Sequence, residues 1–361
     1  MSEKQYSRKI CLFLRNDPSL LNNNIFKEAA LHGMKSDGYM FIELKKELAR
    51  HSIELSTQDI LPPKEADFVL YLDQVPESID KNKSALIVSE PPVYSKLPWQ
   101  RDSHKRFSKV FSHDPAFYKT DPSLYVHLYY PIDFDGIKDL PITDRNSFEN
   151  RKLANLVNGS VVNYRHHHIE GSLIGERYRV IEWFGKNHPS EFDFFGRGIT
   201  KRYYGMSFPG LGYLRKLLPA KALILLANIL QRDIKRVYKG EVPALEKSEN
   251  LSRYRFNFCF ENTSNINGYV TEKLFDCFFS KTIPIYWGAP NIKELVPKEC
   301  FVDYRDFNSL ESLYSFMKNF NFDQALLMFN AQQEFLKSGQ AQKLHPSQFA
   351  QTIISGIKEF I

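Results

Sequence analysis

At 361 residues, 43% of them hydrophobic and 14% aromatic, the chain is long enough for two domains with ordinary cores. Its net charge of +6 suits an anionic ligand such as a nucleotide diphosphate, or acidic lipid, but is too small and dispersed to indicate nucleic acid. No segment approaches the roughly 20 apolar residues of a membrane span.

The N-terminus, MSEKQYSRK, is charged, and the apolar run behind it, Ile10 to Leu14, is too short for a secretory signal. Cys11, Cys259, Cys277 and Cys300 show no paired spacing and read as free thiols of a reducing compartment. A cytoplasmic chain is expected.

Residues up to about 134 alternate strand and helix patterns. Strands are expected at Lys9–Arg15, Ile53–Ser56, Asp67–Leu72, Ala85–Ser89 and Lys109–Ser112, with helices at Tyr39–His51 and Trp99–Phe107. Apolar runs of buried parallel-strand type between helices indicate a doubly wound α/β domain. Such sheets bind ligands beyond the carboxyl ends of their strands. There Ala85–Ser89 is followed by Glu90, and Pro91 and Pro92 end the strand. An acid so placed is a candidate general base, against the plainer reading of a solvated strand end. Ile132 to Gly136 contains Asp133 and Asp135 in a D-x-D pattern; it reads as surface, the alternative being a metal-dependent GT-A transferase. The Pro-, Asp- and Asn-rich residues 135–149 read as a linker, giving a first domain of 1–145 and a second of 150–361.

In the second domain, Leu156–Tyr164 reads as a strand ending in Arg165 and three histidines. Only His166 and His168 would share a face, with no nearby carboxylate or cysteine to complete a metal set, so no metal site is expected. Glu170–Asn187 reads as a helix whose apolar stripe holds Leu173, Val180, Ile181 and Phe184. Arg177 falls in the middle of that stripe and Arg179 opposite it. A cation on an inward face needs an anionic partner. Residues 200–237 form a stretch punctuated by Pro209 and Pro219. Its helical pattern from Leu223 to Val237 sets Leu223, Leu226, Leu230, Ile234 and Val237 on one face, with Arg232, Lys235 and Arg236 away from it. Such a helix packs on its own domain or lies on anionic lipid, so peripheral membrane contact through residues 221–239 is a further expectation.

From Tyr254 to Ile292 the chain reads strand, polar loop, helix, strand, tight turn. Phe256, Phe258 and Phe260 alternate with Asn257, Cys259 and Glu261 as in a strand with one face in the core. Thr271 is placed to cap a helix that opens with Glu272 and Lys273. A helix start with a lysine in its first turn suits a phosphate, and Glu272 can accept hydrogen bonds from sugar hydroxyls; as a bare triplet, TEK equally describes a solvated surface helix. Ser309–Phe320 and Ser347–Phe360 read as closing helices.

The run FENT…GYVTEKLFDCFFSKTIPIYWGAP resembles the signature of the α1,3/4-fucosyltransferases, glycosyltransferase family 10, densely from about Ser252 to Phe307 and sparsely upstream. Asn262 and Tyr269 stand one residue further apart than in that pattern, and residues 200–237 have no counterpart in it, so they read as an insertion. The resemblance implies an α/β GT-B fold, two Rossmann-like domains facing a cleft, and an inverting, metal-independent hexosyltransferase needing no cofactor. GDP-fucose would be the donor and a glycan hydroxyl the acceptor, such as O3 of a GlcNAc-type residue, for example in lipopolysaccharide. By position, Glu90 matches the family's catalytic acid and Arg177 its phosphate-binding arginine, a fork suited to a diphosphate. Lys273, Asn262 and Tyr269 would line the donor site. Glu272 would bind ribose or stabilise positive charge on the sugar ring. A transferase using another nucleotide sugar is the competing reading.

Overall fold

The computed structural model of the chain describes residues 6–27, 35–134, 144–158, 169–196, 219, 232–243 and 246–361. Two all-parallel sheets organise it. The first holds β1 (Arg8–Phe13), β2 (Ile53–Thr57), β3 (Phe68–Leu72), β4 (Ser84–Val88), β5 (Lys109–Ser112) and β6 (Tyr125–His127), in the order β2-β1-β3-β4-β5-β6. The second holds β7 (Lys152–Val157), β8 (Phe192–Phe195), β9 (Tyr254–Phe260), β10 (Ile283–Trp287) and β11 (Val302–Asp303), in the order β11-β10-β9-β7-β8. Each sheet changes direction of winding once, between β1 and β3 and between β7 and β9. Crevices at such switch points are where α/β sheets take ligands. The expected α/β class, here two parallel sheets with helices, is the observed one.

The strands are buried because helices cover both faces of a parallel sheet. The single-faced burial expected for β9 is therefore corrected: Asn257, Cys259 and Glu261 are as buried as the three phenylalanines. β9 is a central strand between β10 and β7, so it has no solvent face. β7 begins earlier than the expected Leu156–Tyr164, because Leu153, Ala154 and Leu156 already fill the core; residues 159–168, with the histidines, lie outside the described part. All four cysteines are free and buried.

A second correction concerns the domain limits. The helix Pro346–Ile357 does not pack on the second sheet. Phe349, Ala350, Ile353 and Ile357 bury themselves with Phe41, Leu44 and Leu48 of the helix Lys35–Arg50, over β1 and β3. The Phe41 and Phe349 rings meet edge-on, 6.0 Å apart. The last helix of the expected 150–361 domain thus completes the first. An unexpected helix, Phe322–Leu336, opens with a reciprocal Asn321–Gln324 capping box.

Of the 200–237 insertion, the described part is Pro219 and the helix Arg232–Val237. Ile234 and Val237 enter the second core. Gly185 lies so close to it that an added Cβ would stand 2.1 Å from the Asp233 carbonyl oxygen. This end packs on its own domain. Among the described residues no helix is long and apolar enough to cross a membrane.

Candidate active site at the interdomain cleft

The site is built around the carboxyl end of β9. Glu261, wholly buried, accepts hydrogen bonds from the Thr271 backbone N–H (2.7 Å) and the Thr271 hydroxyl (2.8 Å). These bonds close the base of the 262–270 loop. Thr271 does occupy the cap position of the helix Glu272–Phe279, but its side chain makes no cap bond; its hydroxyl is given to Glu261 instead. The Lys273 ammonium contacts Thr271 Oγ1 at 2.9 Å, Glu261 Oε2 at 3.3 Å and Glu272 Oε1 at 3.4 Å.

Glu272 and Lys273 are therefore not a solvated pair. Burial opposes ionisation of Glu272, but the ammonium groups of Lys273 and Lys247 outweigh it and hold the carboxyl down at about 2. Lys247 comes from the helix Lys247–Ser252 and is ion-paired with Asp276, one turn beyond Glu272. Burial pushes the Glu261 carboxyl up, although Lys273 opposes it.

Arg177 sits in the helix Ile174–Asn187 and is 1% exposed. Its Nη2 donates to the carbonyl oxygens of Phe260 and Glu261, each at 2.5 Å, and to Asn262 Oδ1 at 3.1 Å. Its Nη1 is buried and has no hydrogen-bond partner. Half of the fork thus holds the end of β9, and the other half is buried with no hydrogen bond. Arg179 points away, to Glu176 and the Tyr304 hydroxyl. Arg177 and Lys273 converge on one residue: the arginine holds the Glu261 backbone, the lysine its carboxylate. Asn262 Nδ2 also donates to the Tyr269 hydroxyl (3.1 Å), so the six-residue spacing between them still brings the two side chains together.

Glu90 faces this cluster from the first sheet. It follows β4, is exposed, and has its backbone fixed on both sides. Its N–H donates to Asp73 Oδ1 at 3.1 Å, and its carbonyl accepts from Trp99 Nε1 at 2.8 Å. Asp73, beyond β3 and at a left-handed φ of 52°, also takes the Ser89 N–H (2.8 Å) and the Ser89 hydroxyl. Burial raises its carboxyl to about 6 against those bonds.

Two electrostatic influences couple the Glu90 end of β4 to this cluster. After burial, the Glu90 charge is the main influence raising the Tyr269 phenol. Four residues on, Tyr94 is the first group after burial to act on the Arg177 guanidinium. Where the halves meet, the His113 and Tyr269 rings lie 5.4 Å apart. Gly268, at φ 77°, passes so close that a Cβ would stand 2.3 Å from the His113 carbonyl oxygen.

The structure thus gathers Arg177, Asn262, Tyr269, Glu272 and Lys273 on one side and sets Glu90 on the other. Glu261, Lys247, Asp73 and Tyr94 were not singled out from sequence. Glu261 was read as half of an alternation that the central strand abolishes. Lys247 and Asp73 act through partners far away in the chain, and no local pattern marks them. Asp133 is half-buried, and Asp135 lies outside the described residues. Among the described residues no cluster of three metal-ligating side chains occurs.

Comparison with known proteins finds a family likeness in the signature region. Residues 233–345 match the family model described as glycosyltransferase family 10 (fucosyltransferase), C-terminal. The likeness covers this stretch and not the whole chain. Over 73 residues, 20% of the chain, it is 51% identical to an α-(1,3)-fucosyltransferase, FucT, of Helicobacter pylori. Over 73 residues it is 38% identical to an α-(1,4)-fucosyltransferase of Arabidopsis thaliana. These matches span 15% and 18% of the relatives' own lengths.

The fold likeness reaches further than residues 233–345. A crystal structure of an α1,3-fucosyltransferase with GDP-fucose superposes with a TM-score of 0.51 and 18% identity, covering 99% of this chain and 92% of the other. An α-glucosyltransferase in complex with UDP and DNA gives 0.54 at 13% identity, covering 98% and 100%. At such identities the likeness shows the shared fold, the two-domain GT-B type, and this fold replaces the GT-A alternative raised by Asp133 and Asp135.

Proposed function

We propose that the chain is an inverting, metal-independent fucosyltransferase that moves L-fucose from GDP-fucose to a glycan hydroxyl. O3 of a GlcNAc-type residue is the favoured acceptor position. The observation that carries this reading is the convergence of Arg177 and Lys273 on Glu261 at the β7/β9 switch point, facing Glu90, in a chain whose residues 233–345 match the family 10 model.

Glu90 takes the proton of the acceptor hydroxyl as that oxygen attacks the anomeric carbon from the face opposite GDP. The C–O bond to the diphosphate breaks as the new one forms. Arg177, through its uncommitted Nη1, and Lys273, at the start of a helix, stabilise the charge growing on the departing diphosphate. Preorganised cations of this kind do the work that a metal does in other transferases. Glu272 binds ribose or steadies positive charge on the sugar ring; Asn262 and Tyr269 line the nucleotide site.

Product analysis tests the reading. Mass spectrometry of reactions with GDP-fucose, GDP-mannose, UDP-glucose or UDP-galactose, and a panel of lactosamine-type and lipopolysaccharide-derived glycans, should show deoxyhexose added from GDP-fucose. Transfer from another donor in its place would overturn the donor assignment.

A further inference from the structure

Lys273 is already fully engaged. An ammonium group has three N–H donors, and three oxygens, on Thr271, Glu261 and Glu272, lie within 3.4 Å of it. A diphosphate oxygen reaching Lys273 must displace one of them. Glu272 keeps a second cation in Lys247, itself fixed by Asp276. Glu261 is differently placed. Its side chain is wholly buried, its ion pair is with Lys273, and the Thr271 donors are its other contacts.

The surroundings of Glu261 give little compensation. From the following helix it is faced by Lys273 and Glu272, from β10 by the Tyr286 phenol, from β9 by the Cys259 thiol and from the loop by Tyr269. Arg177 reaches it from the helix over the cleft, but the Nη2 bonds go to backbone oxygens and Asn262. A buried carboxylate that loses its cation while anionic phosphate arrives nearby takes up a proton.

We propose that Glu261 is a positioning residue that stands in for the diphosphate: it holds Lys273 in place in the empty site and takes a proton from solvent when a nucleoside diphosphate claims the ammonium. The inference rests on the donor-site reading above. It makes GDP binding stronger at low pH than at high pH, by up to tenfold per pH unit where Glu261 titrates. It also lets the departing diphosphate be released as Lys273 returns to Glu261 and the proton leaves.

Calorimetric titration with GDP, in buffers of different ionisation enthalpy from about pH 5 to about pH 8, tests it. The native chain should take up a larger fraction of a proton than Glu261→Gln; protonation of GDP itself is common to both. Equal uptake overturns the inference. Thr271→Val, which keeps Glu261 but removes a donor to its charged form, should move the uptake to higher pH. It serves alone if Glu261→Gln does not fold, and an unmoved profile then overturns the inference. Failure of the native chain to bind GDP at all would sink the donor-site reading as well, whereas binding without the proton difference sinks only this one.

Discussion

The chemistry of single side chains here is set by what each is denied. Glu90 is exposed but its backbone is held by Asp73 and Trp99, so replacing its carboxylate changes chemistry rather than shape. Glu90→Gln should lower turnover by roughly 10²- to 10⁴-fold with GDP affinity unchanged, read by steady-state kinetics beside calorimetry. Weakened GDP binding would move Glu90 out of the role of base. Lys273→Ala should act the other way, weakening GDP binding first. Arg177→Ala should do so too and also destabilise the fold by about 1–3 kcal/mol, since the carbonyl oxygens at the end of β9 lose their donor; urea unfolding reads that cost. Asp73 gives a pH dependence. Its folded-state carboxyl, at about 6, lies above its unfolded value near 3.9. The folded chain therefore binds this proton more tightly, a stabilisation complete below about pH 4 and lost as pH rises through about 6. Asp73→Asn should remove that component from a stability–pH curve.

At the level of elements, the site is made by strand ends and the loops that leave them. The signature segment was legible because strand, helix and strand each declare themselves locally: aromatic alternation in β9, TEK opening a helix, a Gly-Ala-Pro turn after β10. The inward placement of Arg177 was also legible, since helical periodicity alone put it among Val180, Ile181 and Phe184. Burial on both faces of β9 was not, because alternation cannot report which strands end up central. Nor was the destination of the last helix, whose stripe of Phe349, Ile353 and Ile357 fits either sheet; the first sheet's helix Lys35–Arg50 supplies the matching face. Phe349→Ala should therefore unfold the first domain more readily, costing about 3–5 kcal/mol in denaturant titration. Gly268 joins the two halves at a left-handed φ against the His113 carbonyl. Gly268→Ala should cost about 1–3 kcal/mol and shift Tyr269 away from the donor, raising KM for the donor more than it lowers kcat.

For the whole molecule, the proposed function divides the labour between the two sheets: one would position a base, the other would gather cations around a diphosphate. The family resemblance implies that division. What could not be read is how charge is balanced in the cleft, because Lys247, Glu261 and Asp276 meet only in three dimensions. Since Arg177 and Lys273 carry the leaving-group charge in this account, activity should persist in excess chelator, and loss of turnover restored by a divalent ion would count against it. The most direct test is the anomeric configuration of the transferred sugar, read by NMR of the product. Displacement by an acceptor oxygen activated by Glu90 predicts a configuration opposite to that in the donor. Retention of the donor's configuration would contradict it.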